Sequence, residues 1–331
     1  MLPGVSMTDC WRLRRAGGWS GAGWRVHNVR MRIVIPGGSG FIGRALSAFL
    51  VERGHSVTVL TRRPERPEDV AWDGRTLGDW AGALEGADAV VNLTGRSVSC
   101  LYTPTNRAEI LNSRLDAVRA IDQAVLACAT PPPAVVQAAS LHIYGDTTAA
   151  CNEDAPLGEG FSEEVCKRWE AAFFEQQLPG ARKVLLRIGF VLGPNGGALA
   201  TMRTTVQWFL GGTVGNGGQY ISWLHVHDLC RLFLRCIEDP DMQGIYNATG
   251  PTLVTNRVFM HALRRVLHRP WSPPAPPLLV NLGARYLFRT EGLLALTGRR
   301  CYPARLQAAG FGFEHPDLDE ALADVMSRWR G

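Results

Sequence analysis

The sequence has 331 residues, of which 46% are hydrophobic and 20% are charged, so the chain can bury a substantial core as one large domain or as a domain with a lobe. Residues 1–30 carry five arginines and one aspartate, and they hold +4 of the formal net charge of +5. The remaining residues are almost neutral overall, which argues against a nucleic-acid partner. No apolar stretch of the sequence is long enough to predict a membrane-spanning helix.

Residues 1–30 contain several glycines and three tryptophans, but they lack the apolar core that a secretory signal peptide needs. Met31 stands directly before the first predicted strand, where a domain would naturally begin. We expect residues 1–30 to be a disordered leader or the product of a misassigned start; an arginine-rich organelle presequence is the alternative. The eight cysteines are scattered without a CxxC pair, which indicates reduced thiols in a cytoplasmic protein.

The first motif along the chain is a glycine-rich segment, GGSGFIG, at residues 37–43. An apolar run at 33–35 precedes it, and an amphipathic stretch that ends at Gly54 follows it. A second strand is predicted at 56–60. Strand, glycine turn, helix and strand form a dinucleotide-binding unit, in which glycines let the backbone approach a pyrophosphate at the start of a helix. The pattern predicts a nucleotide site, with an ordinary glycine turn as the alternative.

The end of the second strand indicates which dinucleotide the site holds. An NAD site usually has Asp or Glu there to bind the ribose hydroxyls, whereas a 2′-phosphate needs a cation. This chain has Arg62 and Arg63 at that point, and no carboxylate before Glu65. Guanidinium groups suit a phosphate dianion, so the sequence favours NADP(H). The alternative is that the two arginines belong to a solvated loop.

Strands alternate with helical patterns as far as residue 190. The further predicted strands are 70–73, 89–93, 135–138 and 184–188. This alternation predicts an α/β fold, a Rossmann-type doubly wound parallel sheet with a smaller C-terminal substrate lobe. We assign residues 31–190 to the NADP-binding domain. Residues 191–270, rich in glycine loops, are assigned to the substrate lobe and to segments that return to the sheet. Residues 271–331, which begin with a proline-rich segment, are assigned to a C-terminal helical domain.

Eight motifs, spread over about residues 31–325, carry a resemblance to a known family. They are GGSGFIG (37–43), VVNLTG (90–95), ILNSR (110–114), YGD (144–146), KRWE (167–170), LRIGFVLGPNGGAL (186–199), QYISWLHVHDL (219–229) and RRCYPARLQAAGFGF (299–313). Together they resemble the extended short-chain dehydrogenase/reductase superfamily. More closely, they resemble its atypical branch of epimerase family proteins, a sugar-nucleotide-epimerase-like group with a C-terminal helical domain of unknown function.

The resemblance implies NADP(H) bound beneath a lobe that binds substrate. The residues implied for the cofactor are Gly37, Gly40 and Gly43 in the phosphate loop, Ser39, Phe41 and Ile42 lining it, Arg62 and Arg63 at the 2′-phosphate, Asp73 at the adenine, and Leu93, Thr94 and Gly95 along its ribose. By the same resemblance, Ser140 matches the active-site serine or threonine, whose hydroxyl binds a substrate oxygen next to the nicotinamide.

The catalytic pair of the superfamily is missing from this chain. That pair is a tyrosine acid/base with a lysine four residues later, which lowers the pKa of the tyrosine. None of the six tyrosines is followed by lysine at that spacing. We consider two replacements. Tyr102 follows the fourth strand on a loop that reaches over the nicotinamide in this fold, and Cys166 lies near the expected place of the lysine. A buried core role is the alternative for Cys166.

Two further residues are candidates for contact with substrate. Arg187 ends a predicted strand and could hold a substrate phosphate or an internal carboxylate. His225 could act at the site as a pair with Asp228; the alternative is that His225 packs beneath the substrate lobe while Asp228 caps the following helix. No cluster has metal-ligand spacing, so no metal site is predicted. The sequence therefore predicts an NADP(H)-dependent oxidoreductase or epimerase-like enzyme for a small polar carbonyl or alcohol, sugar-linked compounds included. A non-catalytic NADP(H)-binding sensor is the alternative. A flavoprotein is disfavoured, and the oligomeric state stays open.

Overall fold

A computed structural model of the chain describes residues 30–269 and 271–329. The predicted leader, residues 1–30, lies outside this part of the chain except for its last residue. The strands are β1 (Arg32–Pro36), β2 (Ser56–Thr61), β3 (Val70–Ala71), β4 (Ala89–Asn92), β5 (Ala134–Ser140), β6 (Thr147–Cys151), β7 (Arg182–Ile188), β8 (Phe190–Leu192), β9 (Tyr220–Ile221), β10 (Trp223–His225), β11 (Gly244–Ala248), β12 (Val254–Thr255) and β13 (Arg299–Cys301). The α-helices are α1 (Phe41–Glu52), α2 (Pro104–Ala127), α3 (Phe161–Glu175), α4 (Gly197–Gln207), α5 (Val226–Glu238), α6 (Asn256–Val266), α7 (Pro277–Leu282), α8 (Leu293–Leu296), α9 (Ala304–Ala308) and α10 (Leu318–Ser327).

Seven strands form one parallel sheet in the order β11-β7-β5-β4-β1-β2-β3. Every neighbouring pair in this sheet runs in the same direction. The chain builds outward from β1 to β3 on one side and from β4 to β11 on the other, so the order reverses between β1 and β4. Ligands of such sheets bind at that switch point, beyond the carboxyl ends of the strands. The predicted Rossmann-type doubly wound sheet is confirmed.

Both faces of the sheet are covered by helices. Side chains of a strand point alternately to its two sides, so each strand contributes to a core on each face. Ile33 and Ile35 join the core that packs under α1 and α5, whereas Val34 between them joins the core under α2 and α3. The same alternation continues through β4, β5 and β7. The near-continuous apolar strands of the sequence therefore follow from burial on both faces.

The lobe beside the sheet has a core of its own, to which the end of the chain contributes. Leu192, Trp223 and Phe259 from the lobe pack in one cluster with Leu318 and Leu322 of α10. The chain from Met31 onward forms one compact unit. The boundaries that we place at residues 190 and 270 thus divide the sequence into segments. They do not separate compact units, since the hydrophobic core of the sheet includes residues from both sides of each boundary.

A short strand pair brings the C-terminal segment to the carboxyl edge of the main sheet. Strand β13 pairs in parallel with β6, which follows β5 in the chain. The backbone N–H of Gly298 donates to Asp146 Oδ1 at 2.8 Å, just before this pairing begins. Among the described helices, none combines the length and the hydropathy that a bilayer crossing requires.

Candidate functional site

The glycine loop between β1 and α1 has a shape that only glycine permits at two positions. Gly37 has a φ of 75°, and a Cβ added there would lie 2.8 Å from the backbone N of Thr94. A Cβ at Gly43 would overlap the backbone of Gly38. At Gly40, by contrast, an added Cβ would meet only Gly37 O, at 3.6 Å. The protein thus leaves space above Gly40, where a phosphate would approach the backbone.

Helix α1 starts at this loop with donors available to an anion. Gly40 is its N-cap residue, and within the described part of the chain no side chain caps it. The first N–H groups of a helix lack intrahelical partners and attract negative charge. The Thr94 hydroxyl, at the end of β4, is buried and has no hydrogen-bond partner among the described residues. A bound dinucleotide would give the Thr94 hydroxyl a hydrogen-bond partner, and its pyrophosphate would fit the glycine loop.

Three arginines surround the outer side of this loop. Thr61, the last residue of β2, donates its hydroxyl hydrogen to Ser39 Oγ at 3.1 Å, which ties the loop to the second strand. Arg62 and Arg63 follow at once and are exposed. Arg44, which sequence reasoning missed, lies in the first turn of α1 and donates to Ser39 O at 2.6 Å. These cations are grouped where the 2′-phosphate of NADP(H) is predicted.

The remaining predicted cofactor residues lie around the same edge. Phe41 and Ile42 pack on the core under α1, together with Leu93. The ring of Phe41 also touches the glycines at 193–197, so this later glycine loop closes over the start of α1. Asp73 is exposed, and its carboxylate accepts the N–H groups of Arg75 and Thr76 in a turn, at 2.8 and 2.9 Å. Its contact with adenine stays a prediction.

Ser140, the last residue of β5, forms a pair with a histidine that sequence reasoning missed. Its hydroxyl lies 3.0 Å from His142 Nδ1 and accepts the backbone N–H of His142 at 3.2 Å. Burial, followed by the charge of Arg299, lowers the pKa of His142 to about 3. The ring is therefore neutral, and Nδ1 can accept the serine proton. The only signal in the sequence is the spacing of two residues from Ser140.

Tyr102 reaches the start of α3. Its ring packs edge to face on Phe161, with centroids 5.0 Å apart, and its backbone N–H donates to Glu291 Oε1 at 2.7 Å. Burial raises the pKa of Tyr102, and the Ser162 hydroxyl opposes that rise. Within the described residues, the buried phenol oxygen has no hydrogen-bond partner. The phenol is thus protonated at neutral pH, and its catalytic role stays a prediction.

Cys166 does not have the surroundings of a catalytic acid. It is buried in a cluster with Tyr144, Cys151 and Cys301, and only 5% of its surface is exposed. Burial raises the pKa of its thiol to about 12. The predicted catalytic role is therefore corrected to the alternative, a core residue, because the sulfur has neither access to a ligand nor a readily lost proton.

Arg187 is corrected in the same way, from a substrate ligand to an internal ion pair. Its Nε and Nη2 donate to the two carboxylate oxygens of Glu170 at 2.9 and 2.8 Å. Its Nη1 donates to Tyr144 Oη at 2.6 Å and to Glu153 O at 3.0 Å. The residue is 4% exposed. Its hydrogen-bonding capacity is used inside the protein, so it is not available to a substrate phosphate.

His225, predicted to contact substrate, instead caps α5. Its Nδ1 accepts the backbone N–H of His227 at 3.2 Å, and its Nε2 lies 3.2 Å from Asp324 Oδ2. The residue is 1% exposed. Burial, followed by the nearby His315, lowers its pKa to about 4. The prediction is corrected because the imidazole is enclosed between α5 and the C-terminal helix.

The structure also brings together a group that the sequence did not predict. Ligand atoms of His225, His315 and Asp324 lie within 4.8 Å of one another, a spacing that could hold a metal ion. Metal-bound histidines usually donate their other ring N–H to an acceptor. Here Nδ1 of His225 faces an N–H donor, so the neutral ring carries its proton on Nε2. With its proton on Nε2 and its Nδ1 engaged by a backbone N–H, His225 has no free nitrogen lone pair for a metal ion.

Comparisons with known proteins agree with this geometry. The profile of the NAD dependent epimerase/dehydratase family matches residues 33–249, and a Domain of unknown function (DUF1731) matches residues 275–325. The epimerase family protein SDR39U1 of Bos taurus is 35% identical over 305 residues, which cover 90% of this chain and all of that protein. The epimerase family protein YfhF of Bacillus subtilis is 30% identical over 308 residues, covering 90% of this chain and 98% of that protein.

Solved structures are similar as well. The crystal structure of human SDR39U1 (isoform 2) with NADPH has a TM-score of 0.81 and 32% identity, and it covers 90% of this chain and 100% of that one. A nucleoside-diphosphate sugar epimerase from Corynebacterium glutamicum has a TM-score of 0.74 and 27% identity, covering 92% of this chain and 59% of that one. On the match over residues 33–249 and these identities, the chain belongs to the NAD dependent epimerase/dehydratase family.

Proposed function

We propose that this protein is an NADP(H)-dependent oxidoreductase or epimerase-like enzyme that acts on a small polar carbonyl or alcohol, sugar-linked compounds included. The observation that carries the proposal is the Ser140–His142 pair at the carboxyl end of β5. This pair lies at the same edge of the sheet as the glycine loop, two strands away. A hydroxyl bonded to a neutral imidazole can hold a substrate oxygen and exchange a proton with it.

NADP(H) is the cofactor that the residues fit. The glycine loop and the start of α1 would hold the pyrophosphate, and Arg44, Arg62 and Arg63 would hold the 2′-phosphate. The structure of the human relative contains NADPH, which supports the same cofactor here. When bound, the nicotinamide supplies or accepts the hydride of the reaction.

Side chains of the protein would transfer the proton to or from the reacting oxygen of the substrate. In alcohol oxidation, Ser140 Oγ would take the proton of the reacting hydroxyl and pass its own proton to His142 Nδ1, 3.0 Å away; carbonyl reduction would run the same two transfers in reverse, from a ring protonated at Nδ1. The phenol of Tyr102, which burial keeps protonated, is the second proton source that we propose. This arrangement takes the place of the missing tyrosine and lysine, at the cost of the lysine charge that would lower the tyrosine pKa.

The cofactor is tested by titrating the tryptophan fluorescence of the full chain with NADPH and NADH. NADPH should bind more tightly. The double variant Arg62→Ala, Arg63→Ala should lose that preference, whereas Arg168→Ala, an exposed arginine on α3, should keep it. Equal affinity of the wild type for both dinucleotides would remove the role proposed for the two arginines.

Turnover is tested by NADPH oxidation against a panel of small carbonyl compounds. Ser140→Ala should lower the rate by at least about a hundredfold, the lower end of what general acid–base groups contribute. His142→Gln should also slow the reaction while leaving NADPH affinity unchanged. A variant at Ser140 that matches the wild type would remove the catalytic assignment.

A non-catalytic NADP(H)-binding sensor is the second candidate, and the missing catalytic lysine favours it. One of the two lysines, Lys183, is held by Asp122 and by the carbonyl oxygens of Phe173 and Gln176. Tight NADPH binding together with an inert carbonyl panel would select this candidate. Under both candidates we propose a cytoplasmic protein with a small-molecule ligand, on the unbridged cysteines of the described residues and the low charge beyond residue 30.

A further inference from the structure

Exposed large apolar side chains are concentrated in two short segments of the chain. Sixteen such side chains occur among the described residues, and eleven of them belong to residues 208–210 and 271–293. Within these segments their exposed fractions range from 41% for Phe288 to 75% for Trp208. A single exposed leucine is ordinary, whereas a group that forms one surface indicates a binding site. We call the exposed apolar side chains of these two segments the apolar patch.

Hydrogen bonds hold the two segments of the apolar patch side by side. The Ser272 hydroxyl donates to the carbonyl oxygen of Phe209 at 2.6 Å. Three residues later, the backbone N–H of Ala275 donates to the carbonyl oxygen of Thr213 at 2.9 Å. The chain at 209–213 therefore runs beside the chain at 272–275, and the exposed side chains next to this junction belong to one surface.

Most of the apolar patch lies on a helix whose leucines face away from the protein. Helix α7 continues as a wider π-helical turn, Gly283–Phe288. Leu278 is 70% exposed, Leu282 one turn later is exposed as well, and Tyr286 a further turn on is 74% exposed, whereas Ala284 is buried. A surface helix of a globular protein normally turns its leucines to the core. This helix packs on the protein through a small residue and leaves its large apolar side chains to a partner.

The sequence around the apolar patch is basic because it contains no acidic residue. Residues 192–227 and 242–290 have no Asp or Glu, whereas they include seven arginines and no lysine. They therefore carry a formal charge of +7, with histidines neutral. The near neutrality of the chain beyond residue 30 thus conceals an uneven distribution of charge.

Four of these arginines lie at the apolar patch, and none of the four has a carboxylate within ion-pair distance among the described residues. Arg264 and Arg269 donate to backbone carbonyl oxygens at 211 and 207, and the guanidinium of Arg269 lies 5.1 Å from the centre of the Phe209 ring. Arg285 and Arg289 are exposed on the helical segment itself and at its end. A carbonyl oxygen does not neutralise a guanidinium, so the patch is flanked by uncompensated positive charge.

The charge decides between possible occupants of the apolar patch. A symmetric contact with a second copy would place the patch against itself and bring like charges together. Residues 1–30 also carry a positive charge, so they do not complement the patch. A nucleic acid would match the charge, but its phosphates and sugars offer nothing to a row of leucines. An anionic lipid surface matches both features, since exposed leucines and aromatic rings flanked by arginines are typical of helices that lie in the membrane interface.

We propose that the apolar patch binds the surface of an anionic lipid bilayer, with α7 and its π-helical continuation lying in the plane of the membrane. The leucines would be buried at the boundary between headgroups and acyl chains. Arg269, Arg285 and Arg289 would bind lipid phosphates. This mode of binding is distinct from crossing the bilayer, for which no helix of the described residues is suited.

The test is flotation of the full chain with vesicles made of equal parts of phosphatidylcholine and phosphatidylglycerol, and with vesicles of phosphatidylcholine alone. The anionic vesicles should bind the chain far more tightly at low salt, and added salt should weaken that binding. Arg285→Gln combined with Arg289→Gln should weaken it about twenty-five-fold, because each arginine near an anionic surface contributes about fivefold. Leu278→Glu should weaken it at least about tenfold, since a buried leucine is replaced by a charge.

Matched controls lie outside the apolar patch. Leu126→Glu, at an exposed leucine of α2, should bind anionic vesicles like the wild type. The same holds for Arg119→Gln combined with Arg168→Gln, two exposed arginines on α2 and α3. All variants should keep the wild-type melting temperature and affinity for NADPH, because the changed side chains are exposed.

A second measurement uses the tryptophans of the apolar patch. Lipids brominated in the acyl chain should quench the tryptophan fluorescence of the bound chain, because Trp208 and Trp271 would lie at the depth of the bromine atoms. Trp208→Phe combined with Trp271→Phe should remove most of the quenching while the chain still floats. Undiminished quenching in this double variant would show that another surface enters the bilayer, and the proposal would then be wrong.

Three further results would overturn the proposal. The first is failure of the full chain to float with anionic vesicles at low salt. The second is unchanged flotation of both Leu278→Glu and the double arginine variant, which would assign lipid binding to another part of the chain. The third is the absence of vesicle binding together with either a dimer in sedimentation velocity or binding to a single-stranded oligonucleotide that Leu278→Glu abolishes. That result would assign the patch to a second copy or to a nucleic acid.

Discussion

Removing the carboxylate of Glu170 should destabilise the whole fold, because the buried guanidinium of Arg187 would be left without a counter-charge. Arg187 is 4% exposed, and Glu170 accepts two of its hydrogen bonds, at 2.9 and 2.8 Å. In Glu170→Ala the guanidinium keeps only Tyr144 Oη and Glu153 O as acceptors. An uncompensated buried charge costs about 3–5 kcal/mol.

The size of the expected change in melting temperature follows from the length of the chain. About 300 ordered residues, at about 2.1 cal/mol/K each, give an unfolding entropy of about 0.6 kcal/mol/K. The melting temperature of Glu170→Ala should therefore fall by about 5–8 °C. Changing both partners, Glu170→Leu with Arg187→Met, should recover at least half of the loss, because no unpaired charge then remains.

The assay is urea unfolding followed by tryptophan fluorescence, together with calorimetric melting. The control is Glu164→Gln, an exposed carboxylate on the same helix, which should change stability by less than about 0.5 kcal/mol. If Glu170→Ala costs less than about 1 kcal/mol, Arg187 is not an internal ion pair in solution. A double variant no more stable than Glu170→Ala would refute the argument from unpaired charge.

Three further predictions concern the loop, pH and the C-terminal segment. Gly43→Ala should abolish NADPH binding because its Cβ overlaps Gly38, whereas Gly82→Ala, which has open space, should bind normally in the same titration. The pKa of His225 falls from about 6.5 in the unfolded chain to about 4, so its stabilisation is present above pH 6.5 and is lost toward pH 4. Between pH 8 and 5.5, the free energy of unfolding measured in urea should therefore fall by about 1.4 kcal/mol less in His225→Gln than in the wild type. Asp228→Ala removes the acceptor of two N–H groups at 314–315, and this segment should lose protection from hydrogen exchange while β1 keeps it.

The first half of the sheet could be predicted from the sequence because its signals are local. The apolar run at 33–35, the glycine loop and the second strand occupy fewer than 35 consecutive residues. Parallel strands covered on both faces read as apolar runs, so the sheet itself could be predicted. The glycine at 43 is required by a contact within the same unit, with Gly38, whereas the one at 37 is required by its positive φ and by the backbone of Thr94 farther along the chain.

Two of the three corrections, those of Arg187 and His225, concern polar side chains at strand ends, where the sequence alone does not determine direction. Arg187 could point to the cleft or to the interior, and the choice depends on Glu170, 17 residues earlier. The contact of Arg299 with Gly145 spans 154 residues, so nothing local in the sequence predicts it. The cover of His225 by α10 likewise depends on how the end of the chain packs.

The pairing of β13 with β6 has a consequence for synthesis on the ribosome. Domains form from the N-terminus as the chain emerges, so the sheet and its glycine loop can assemble early. Arg299 is added only after nine-tenths of the 331 residues have been translated. A nascent chain can therefore form its glycine loop well before β13 reaches β6, so this edge of the sheet is completed only late in translation.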